Sequence, residues 1–537
     1  MKRRIAYYIF IAAFFAVCII PSAGMLLFGE SEAAANEILA ERPSLYAEDG
    51  AFNQNITDDL TSYIADRFAF RQEFITVYAK LQAAIFKESA AEDVVLGKDG
   101  WLFYSDTADD YLHRGTISRR SAQGIGRTLA LMQQYAQEQG TKFVFTVAPN
   151  KNSLYPEYMP NVGKPADAQK NLELLEESLK SHGVEYADLT AAFEDQPVLY
   201  HRLDSHWNNR GAALGLQCIT QKLGVSAYPW FDESYQTVQN HKGDLYEMLF
   251  PAGKELDENV IFDRRFAFKY LQDGETASAA PGRASIENGA SDDVDYYGEN
   301  ASEADRADYY SENAPAADRA DYYSENAPAP DKIKIETVCE RGEGSLLMFR
   351  DSFGNALYPF MADTFSYAVF SRLMPYRMDW LEDGDFDYVV TEIVERNIKN
   401  LALKAPVMPA PIVSLNDDVR DGEYAGIQAQ ACISSEMPGY VKISGIYDDS
   451  EIDEDTRVII YNGIEFFEAS PVGGGFGETQ TDACFTAYLP ETALNSQRSG
   501  LNADDSNSDE QLNDVGFSVI LCTDGDFYRY PCEVKWE

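Results

Sequence analysis

Apolar and polar residues follow three different patterns in three successive regions of this chain. Near the amino terminus, an almost unbroken apolar run extends over residues 5–28. Between about residues 89 and 405, short apolar runs alternate with stretches in which apolar residues recur every three or four positions. From about residue 406 onwards, short runs alternate between apolar and polar side chains. These patterns predict an apolar helix, then a mixed α/β region, then a β-rich region.

The α/β region has the element order of a mostly parallel sheet covered by helices on both faces. The predicted strands are Val94–Leu96, Trp101–Tyr104, Lys142–Ala148, Glu185–Leu189, Lys332–Thr337, Ser345–Phe349, Ser366–Phe370 and Asp387–Val394, and the predicted helices are Gly124–Gln139, Ala166–His182 and Arg210–Leu223. Asn208 or Asn209 precedes the last of these helices and is a candidate N-cap. Strands that are apolar throughout and separated by helices are typical of sheets buried on both faces.

The flanking regions give simpler predictions. Residues 56–86 carry apolar residues at mixed spacings of three and four, which predicts a helical segment leading to the globular body. Prolines at 406, 409 and 411 mark a linker, and the alternating runs that follow predict an all-β sandwich. The predicted domains are 1–35 (membrane anchor or signal), 36–88 (helical, membrane-proximal), 89–405 (α/β, catalytic) and 406–537 (β-rich).

A stretch of different composition interrupts the α/β region between about residues 273 and 331. Asp295–Ala301 returns in closely similar form at Asp308–Ala314 and again at Asp321–Ala327, thirteen residues apart each time. Such units are shorter than the roughly twenty residues that a solenoid repeat needs, and they are acidic and poor in aliphatic residues. We therefore expect a mobile insert that arose by tandem duplication. Its tyrosine pairs are an alternative candidate surface for stacking on sugars.

The amino-terminal run is long enough to cross a bilayer, which takes about twenty apolar residues. Lys2, Arg3 and Arg4 precede it, so the positive-inside rule predicts that the remaining chain lies outside the cytoplasm. The alternative is a cleaved signal peptide, with the alanines at 33–35 following the processing site. The apolar run is long for a signal peptide, and this favours the uncleaved anchor.

Charge and cysteine content narrow the choice of partners. The formal net charge of −44 argues against nucleic acid and against anionic membrane surfaces, since both would repel the chain. The cysteine and histidine spacings match no zinc site, and neither a metal nor a cofactor is predicted.

Cys522 and Cys532 flank a turn between two β-like runs and would pair across the strands in an oxidising compartment. Two buried thiols are the alternative.

Candidate catalytic chemistry begins at Asp204, His206 and Trp207. Residues two apart in an extended or turn conformation project to the same side, so Asp204 can accept from one ring nitrogen of His206 and leave the other as a base. The candidate nucleophile is Ser352, which follows the Ser345–Phe349 strand. Open α/β sheets place their reactive groups at the carboxyl ends of strands. These side chains predict a serine triad that forms an acyl-enzyme.

An ordered set of motifs over about residues 36–405 resembles the SGNH-hydrolase-like proteins of the AlgX/AlgJ type, to which the DHHW proteins are related. The motifs are Val94–Phe103, Ala148–Lys151 with Tyr155–Glu157, Asp204–Trp207, Gly243–Leu245, Asp351–Phe353 and Glu392–Asn397. The resemblance implies an SGNH-like sheet and acetylation of a bacterial exopolysaccharide. The AlgX/AlgJ relatives also share the order Asp, His, Ser along the chain.

Further site residues are expected around the triad. The backbone N–H of Ser352 should bind the oxyanion of the tetrahedral intermediate, with Asn150 as the second donor. The resemblance implies that Tyr358 lines the site. Arg396 is expected to form an ion pair with Glu392 and Glu395 at a strand end, and contact to an anionic substrate is the alternative. Trp207 is expected to pack behind the histidine rather than to stack on a sugar. The remaining histidines, His113, His182, His201 and His241, show no evident partner and receive no role.

The predicted function is transfer of acetyl groups through Ser352 onto hydroxyls of an extracytoplasmic polysaccharide. The resemblance implies a membrane-bound O-acyltransferase as the acetyl donor. It also implies a carbohydrate-binding role for the β-rich region, for which a merely structural role is the alternative. Two other functions stay open: a carbohydrate acetyl esterase, if water resolves the acyl-enzyme, and a non-catalytic glycan-binding or scaffold protein of an envelope complex.

Overall fold

The computed structural model describes residues 2–31, 39–46, 51–271, 332–415, 419–422, 426–447, 453–473, 475–476, 479–495, 517–523, 525–532 and 534–536. The acidic repeat insert predicted at about 273–331 lies outside the described residues. The helices are α1 Lys2–Phe28, α2 Ile56–Arg67, α3 Arg71–Phe86, α4 Asp106–Tyr111, α5 Arg119–Glu138, α6 Lys151–Leu154, α7 Asn171–His182, α8 Leu189–Phe193, α9 Asn209–Leu223, α10 Asp244–Leu249, α11 Gly354–Thr364, α12 Trp380–Asp383 and α13 Glu491–Asn495. The 3₁₀ helices are Lys98–Gly100, Pro156–Tyr158, Trp230–Asp232 and Glu395–Ala402.

The strands fall into a central group and a carboxyl-terminal group. They are β1 Val94–Leu96, β2 Leu102–Tyr104, β3 Lys142–Ala148, β4 Tyr186–Ala187, β5 Tyr235–His241, β6 Asp257–Phe262, β7 Lys269–Tyr270, β8 Lys334–Val338, β9 Ser345–Phe349, β10 Tyr367–Ser371, β11 Tyr388–Val394, β12 Ile412–Val413, β13 Arg420–Asp421, β14 Gln428–Ile433, β15 Tyr440–Ile446, β16 Arg457–Tyr461, β17 Phe466–Ala469, β18 Gly475–Phe476, β19 Thr479–Gln480, β20 Cys484–Pro490, β21 Ser518–Thr523, β22 Asp526–Pro531 and β23 Val534–Trp536.

A seven-stranded sheet forms the centre of the α/β region, with the strand order β4-β3-β11-β9-β10-β8-β7. The first five of these strands are parallel to one another. β8 then pairs with β10 in antiparallel orientation, and β7 pairs with β8 in antiparallel orientation. The predicted fold class, a mostly parallel sheet between helices followed by a β-rich region, is confirmed.

Successive residues of the central strands point to opposite faces of this sheet. Leu346 and Met348 of β9 belong to a core that includes residues of α9 and α11. Leu347 and Phe349 belong to a second core, which includes residues of α5 and α7. Every residue of β9 is therefore buried, and this is the physical reason why the strand reads as an unbroken apolar run.

Most predicted elements of the α/β region agree with the structure to within a few residues. The bounds of β3 and β9 are as predicted. Helix α5 begins earlier than predicted, because the side chain of Ser118 accepts a hydrogen bond from the backbone N–H of Ser121 and caps the helix. The predicted cap of α9 is confirmed, since the Asn208 side chain accepts from two backbone N–H groups in the first turn.

The segment over residues 56–86 is helical in the structure, as predicted, but the helix is interrupted once. The segment forms two helices, α2 and α3, which meet at a corner formed by Phe68–Phe70. Phe70 has a φ of 64°, a left-handed conformation through which no α-helix continues. The ring of Phe70 packs against that of Phe28 in α1, with centroids 5.6 Å apart. A tertiary contact thus accompanies a break that local periodicity did not indicate.

The β-rich region contains two principal sheets that face each other. One has six strands in the order β12-β17-β16-β21-β22-β13, and the other has four in the order β20-β15-β14-β23. Ile460 and Val519 of the first sheet share an apolar core with Ile443 and Phe485 of the second. Two sheets around one core form a sandwich, the architecture expected from the alternating pattern.

The two cysteines near the last hairpin are thiols rather than a disulfide. Cys522 and Cys532 are both reduced in the structure. Across the hairpin of β21 and β22, Cys522 is paired with Phe527 rather than with Cys532. Of the two alternatives left open by the sequence, the structure has unbridged thiols, but both are half-buried rather than buried.

A buried ion network joins the β-rich region to the α/β region. Glu468 of β17 is 1% exposed. Its carboxylate accepts from Arg127 of α5 at 2.7 Å and from Arg457 of β16 at 2.7 and 2.9 Å. Burial alone raises the pKa of Glu468, but the two guanidinium groups outweigh burial and lower the pKa. The carboxylate is thereby kept charged between its partners, one from each region.

Helix α1 has the length and composition of a membrane span. The stretch Phe10–Phe28 of this helix has a mean hydropathy of 2.4. Only 7% of this stretch is buried against the rest of the chain. Both the predicted anchor and the alternative signal peptide have these properties.

Candidate active site

The candidate site lies at the carboxyl end of the central sheet, where turns from three adjacent strands meet. β9 leads into residues 350–353, β3 leads into Pro149 and Asn150, and β11 leads into the 3₁₀ helix Glu395–Ala402. Parallel strands present their ligands at this end because all their carboxyl-terminal turns lie on the same edge. A further loop, residues 199–208 between α8 and α9, approaches the same edge.

The turn after β9 positions Ser352. Asp351 accepts from the backbone N–H of Phe353 at 2.9 Å and from that of Val394 at 2.7 Å. These bonds tie the turn to β11, its neighbour in the sheet. Ser352 itself is 2% exposed. Within the described part of the chain, its backbone N–H donates to no acceptor, as a donor reserved for an oxyanion would require.

Asp204 and His206 are held by the loop between α8 and α9. The loop closes through an isolated β-bridge between Tyr200 and Trp207. The backbone N–H of His206 donates to Oδ1 of Asp204 at 2.8 Å, and the ring Nδ1 lies 2.8 Å from the same oxygen. The carboxylate and the imidazole therefore lie on one side of the loop, as their spacing in the sequence predicts.

The structure brings these two side chains to Ser352. The Nε2 atom of His206 lies 3.0 Å from the Oγ of Ser352, across 146 positions of sequence. A general base must lie within roughly 2.6–3.2 Å of the group it deprotonates. The Asp204 carboxylate, the His206 imidazole and the Ser352 hydroxyl thus form a continuous hydrogen-bonded chain with the geometry of a serine triad.

Trp207 joins the histidine loop to the serine turn. Its indole N–H donates to the backbone oxygen of Phe353 at 3.0 Å, and the two rings meet edge to face at 5.3 Å. The imidazole of His206 lies 4.8 Å from the same phenyl ring. Trp207 is 1% exposed, which is the packing position that the sequence favoured over stacking on a sugar.

Two carboxylates lie beside the Nδ1 atom of His206. Asp204 is at 2.8 Å, and Oδ2 of Asp244 is at 3.4 Å. Burial alone lowers the pKa of His206, but the hydrogen bonds and charges of the two carboxylates outweigh it and raise the pKa to about 10. The imidazole is therefore a strong base that is protonated over most of the neutral range.

His241 is a member of the site that the sequence did not reveal. Its Nε2 lies 2.9 Å from Oδ2 of Asp204, and its ring stacks on that of His201 with centroids 3.8 Å apart. Burial alone raises the pKa of Asp204, but the hydrogen bonds from His206 and His241 hold it well below its usual value. Asp204 is thus an ionised carboxylate shared between two imidazoles.

Asp244 also received no role from the sequence, although a signal was present. Gly243–Leu245 is one of the family motifs, and a side chain at Gly243 would bring its Cβ within 2.3 Å of the backbone oxygen of Leu203. The motif therefore packs directly on the histidine loop. Its Asp244 accepts from the backbone N–H of Ser205 at 2.7 Å.

The buried side chain of Lys151 is hydrogen-bonded to the histidine loop. It is 4% exposed, and its ammonium donates to the backbone oxygens of Leu102 at 2.7 Å, Arg202 at 2.9 Å and Asp204 at 2.8 Å. Burial lowers the pKa of Lys151 to about 7, against the attraction of nearby carboxylates. Three carbonyl oxygens satisfy its three donors. The side chain therefore links β2 to the histidine loop through hydrogen bonds.

Asn150 is buried beside the site and is held by two acids. Its backbone N–H donates to Glu395 at 2.7 Å, and its side-chain amide donates to Asp110 at 3.1 Å. Burial, with the charge of Asp110, raises the pKa of Glu395 to about 8. The role of Asn150 as a second oxyanion donor stays a prediction.

Tyr358 and Arg396 border the same region. Tyr358 lies on α11 and is 3% exposed, with its hydroxyl 2.9 Å from that of Tyr270. The guanidinium of Arg396 lies over the rings of Tyr104 and Phe353, at 5.1 and 5.5 Å from their centroids. Their contacts with a substrate stay predictions.

The acidic and imidazole groups also approach the spacing of a cation site. One ligand atom each from Asp204, His206 and Asp244 lies within 4.8 Å of the others. The Nδ1 of His206, however, forms its short contact with a carboxylate oxygen, which is the arrangement of an acid–base pair. The contact between Asp204 and His206 is therefore that of an acid and a base rather than that of two metal ligands.

Comparison with known proteins confirms the resemblance inferred from the motifs. Residues 94–258 match the family described as "SGNH hydrolase-like domain, acetyltransferase AlgX". The matched stretch contains Asp204, His206, His241 and Asp244 and ends before Ser352. Membership of the nucleophile in the site therefore depends on the geometry alone.

Two curated relatives carry the name "Probable alginate O-acetylase AlgJ". The protein of Pseudomonas syringae pv. tomato is 30% identical over 219 residues, covering 38% of this chain and 54% of the relative. That of Pseudomonas aeruginosa is 25% identical over 266 residues, covering 47% of this chain and 63% of the relative. The chain thus spans between half and two thirds of the length of these relatives.

A solved structure with a related chain trace is the O-acetyltransferase domain of Pseudomonas putida AlgJ. It is 18% identical, with a TM-score of 0.32, and the similarity covers 57% of this chain and 92% of that domain. At this TM-score the likeness carries no functional information.

Proposed function

We propose that this protein is an extracytoplasmic serine acyltransferase, which moves acetyl groups onto hydroxyls of an exopolysaccharide or cell-wall glycan. The observation that carries the proposal is the row Asp204–His206–Ser352, in which Nε2 lies 3.0 Å from Oγ and Nδ1 lies 2.8 Å from the carboxylate. The match to an acetyltransferase domain and the names of the curated relatives support acetyl transfer to a polysaccharide.

The proposed reaction has two steps through an acetyl-serine. First, the Oγ of Ser352 attacks the carbonyl carbon of an acetyl ester while His206 takes the hydroxyl proton. The tetrahedral oxyanion is stabilised by the backbone N–H of Ser352, and its collapse releases the donor alcohol, which receives the proton from His206. Second, a sugar hydroxyl gives its proton to His206 and attacks the acetyl-serine. The acetylated sugar leaves, and the serine oxygen recovers the proton.

Two further elements belong to the proposal. The acetyl donor is a membrane-bound O-acyltransferase, and α1 holds the enzyme beside it at the outer surface of the membrane. The β-rich region from about residue 406 contributes a glycan-binding surface to the catalytic region. The predicted domain limits of 1–35, 36–88, 89–405 and 406–537 are part of this proposal.

The direct test incubates the purified chain with an activated acetyl ester and glycan oligomers, with alginate oligomers as the first glycan because of the relatives' names. We expect acetylated oligomers in the mass spectrum. Release of acetate without acetylated glycan would reject transfer and identify an esterase. If neither product forms, the non-catalytic scaffold alternative gains.

The pH dependence of the reaction should reflect the two carboxylates beside His206. Only the neutral imidazole can accept the serine proton, and its pKa is raised to about 10. The kcat/KM for an activated acetyl ester should therefore rise with pH up to about 10. Asp244→Asn removes one of the charges that raise the pKa, so the rising limb should move to lower pH and activity near pH 7 should increase. If the rising limb of the pH profile lies at the same pH in Asp244→Asn as in the native protein, the Asp244 charge does not raise the pKa of His206.

His241 should act as a positioning residue through Asp204. A hydrogen bond to a charged group contributes about 1.5–3 kcal/mol, so His241→Leu should lower kcat/KM roughly ten- to a hundredfold. His241→Gln places an amide N–H near the position of Nε2 and should restore most of the loss. The measurement is kcat/KM against pH for both variants. Equal losses in the two variants would show that the hydrogen bond to Asp204 has no part in catalysis.

A further inference from the structure

Helix α3 presents apolar side chains on two opposite faces. On its inner face Ala79 is fully buried, in a cluster that includes Leu203 and Leu245. The backbone N–H of Ala252 donates to the Thr76 hydroxyl on this face at 2.9 Å. This face therefore lies against the segment after α10 and shares an apolar cluster with Leu203 and Leu245.

The outer face of α3 is apolar and exposed. Its residues are Val77, Tyr78, Leu81 and Ile85, which are 57%, 61%, 55% and 66% exposed. Residues 77, 81 and 85 are four apart and lie on one side of the helix, opposite Ala79. A helix that is apolar on both faces is normally covered on both. The rest of the described chain covers only the inner one.

The position of α3 relative to α1 indicates what covers the outer face. A Cβ on Gly24 of α1 would lie 2.7 Å from the Cβ of Ala69 at the α2–α3 corner. The backbone N–H of Ser31, just after α1, donates to the oxygen of Arg67 at 3.0 Å. The corner from which α3 starts therefore lies against the end of the apolar helix.

The apolar stretch of α1 shows how deep in a bilayer this contact would lie. Gly24 lies inside the window Phe10–Phe28, four residues before its end, which is about 6 Å along the helix axis. Amphipathic helices at a membrane surface bury their apolar face about 5–10 Å into the boundary between headgroups and acyl chains. With α1 across a bilayer, the first turn of α3 lies at that depth.

The charges on α3 suit a phospholipid surface. Over residues 71–87 there are three basic residues, Arg71, Lys80 and Lys87, and one acidic residue, Glu73. This segment therefore has a net charge of +2, although the whole chain has −44. Basic side chains beside an apolar stripe place ammonium and guanidinium groups near lipid phosphates.

We propose that the outer face of α3 lies in the headgroup region of the lipid bilayer and forms a second membrane contact beside α1. The inner face of the same helix belongs to the apolar cluster that contains Leu203, the neighbour of Asp204 in the chain. The helix thus orients the catalytic region on the membrane surface, which a single flexible tether would leave free to rotate. This inference is independent of the acetyl-transfer chemistry.

The test uses the full chain carrying the photoreactive substitution Leu81→p-benzoylphenylalanine, reconstituted through α1 into phosphatidylcholine vesicles. A matched control is Ile412→p-benzoylphenylalanine, because Ile412 is an equally apolar residue with 61% exposure in the β-rich region. After illumination we expect a phospholipid adduct at residue 81 and none at residue 412. A second variant at Ile85 should behave like that at Leu81.

Two results overturn the proposal. One is the absence of a lipid adduct at both 81 and 85 in folded protein, whether or not the chain floats with the vesicles. The other is an adduct to a protein in place of lipid when the same variants are illuminated in native membranes. That second result assigns the face to a protein partner.

Discussion

Replacing Ser352 with alanine is expected to lower acetyl transfer by about 10⁶-fold, the size of the loss seen when the nucleophile of a serine triad is removed. Without Oγ there is no atom to carry the acetyl group, and the remaining oxyanion donor and bound substrate give only residual catalysis. The loss should fall on kcat rather than on KM. Incubation of the native protein with an activated ester should add the mass of one acetyl group, and the Ser352→Ala variant should show no such increase.

The control for this prediction is Ser366→Ala. Ser366 is exposed and lies next to the amino end of β10, at the opposite edge of the sheet, with its hydroxyl donating to the backbone oxygen of Gly344. Its removal should leave acetyl transfer unchanged. Thermal unfolding of Ser352→Ala should remain cooperative, with a Tm near that of the native protein, since among the described residues the hydroxyl forms its hydrogen bond with His206 alone. Full activity in Ser352→Ala would reject both the transferase and the esterase.

Replacing Asp204 with asparagine is expected to lower kcat by about 10⁴-fold, as in other serine triads. The carboxylate accepts from the ring of His206 and from that of His241. An asparagine keeps one acceptor oxygen but presents an N–H₂ group to the other imidazole, so one of the two rings must change its tautomer or turn away. The neutral side chain also no longer stabilises the imidazolium that forms when His206 takes the serine proton.

Asp188→Asn is a matched control for the loss of one carboxylate. Asp188 is exposed and caps α8, where its Oδ1 accepts from the backbone N–H of Ala191 at 2.9 Å. An asparagine can form the same cap, and activity should stay at the native level. Measurements at several pH values separate the two variants further, because only the change at Asp204 should alter the rising limb of the profile. Equal activity in the two variants would contradict the role of Asp204.

The fold was predictable from the sequence to the extent that its elements have a periodic signature. β3 and β9 are apolar throughout because both faces of the sheet are covered, and a continuous apolar run is visible without coordinates. The cap of α9 by Asn208 is likewise a local signal. The helical character of residues 56–86 was visible in the sequence, but the break at Phe70 was not, because it comes with contacts to α1 and local periodicity carries no information about a distant helix.

The candidate site was predictable only in part, for the same reason. Asp204 and His206 are two residues apart, so their mutual contact follows from backbone geometry. His241 reaches the same carboxylate from the end of β5, 37 positions away. An isolated histidine carries no local pattern, and only the pairing of β5 with β6 and the packing of Gly243 against the histidine loop bring it into place.

The amino-acid sequence by itself determined the order of helices and strands, the apolar segment that precedes them and the local pair of acid and imidazole. These properties depend on neighbours within a few residues, whose relative positions are set by covalent geometry and helix or strand periodicity. Ser352 was the predicted nucleophile, but only the tertiary structure brings its hydroxyl to His206, across 146 positions. The tertiary structure alone decided which second imidazole and second carboxylate lie beside the pair of Asp204 and His206. Those contacts depend on the order of strands in the sheet and on the packing of loops at its edge, and a linear sequence does not display either.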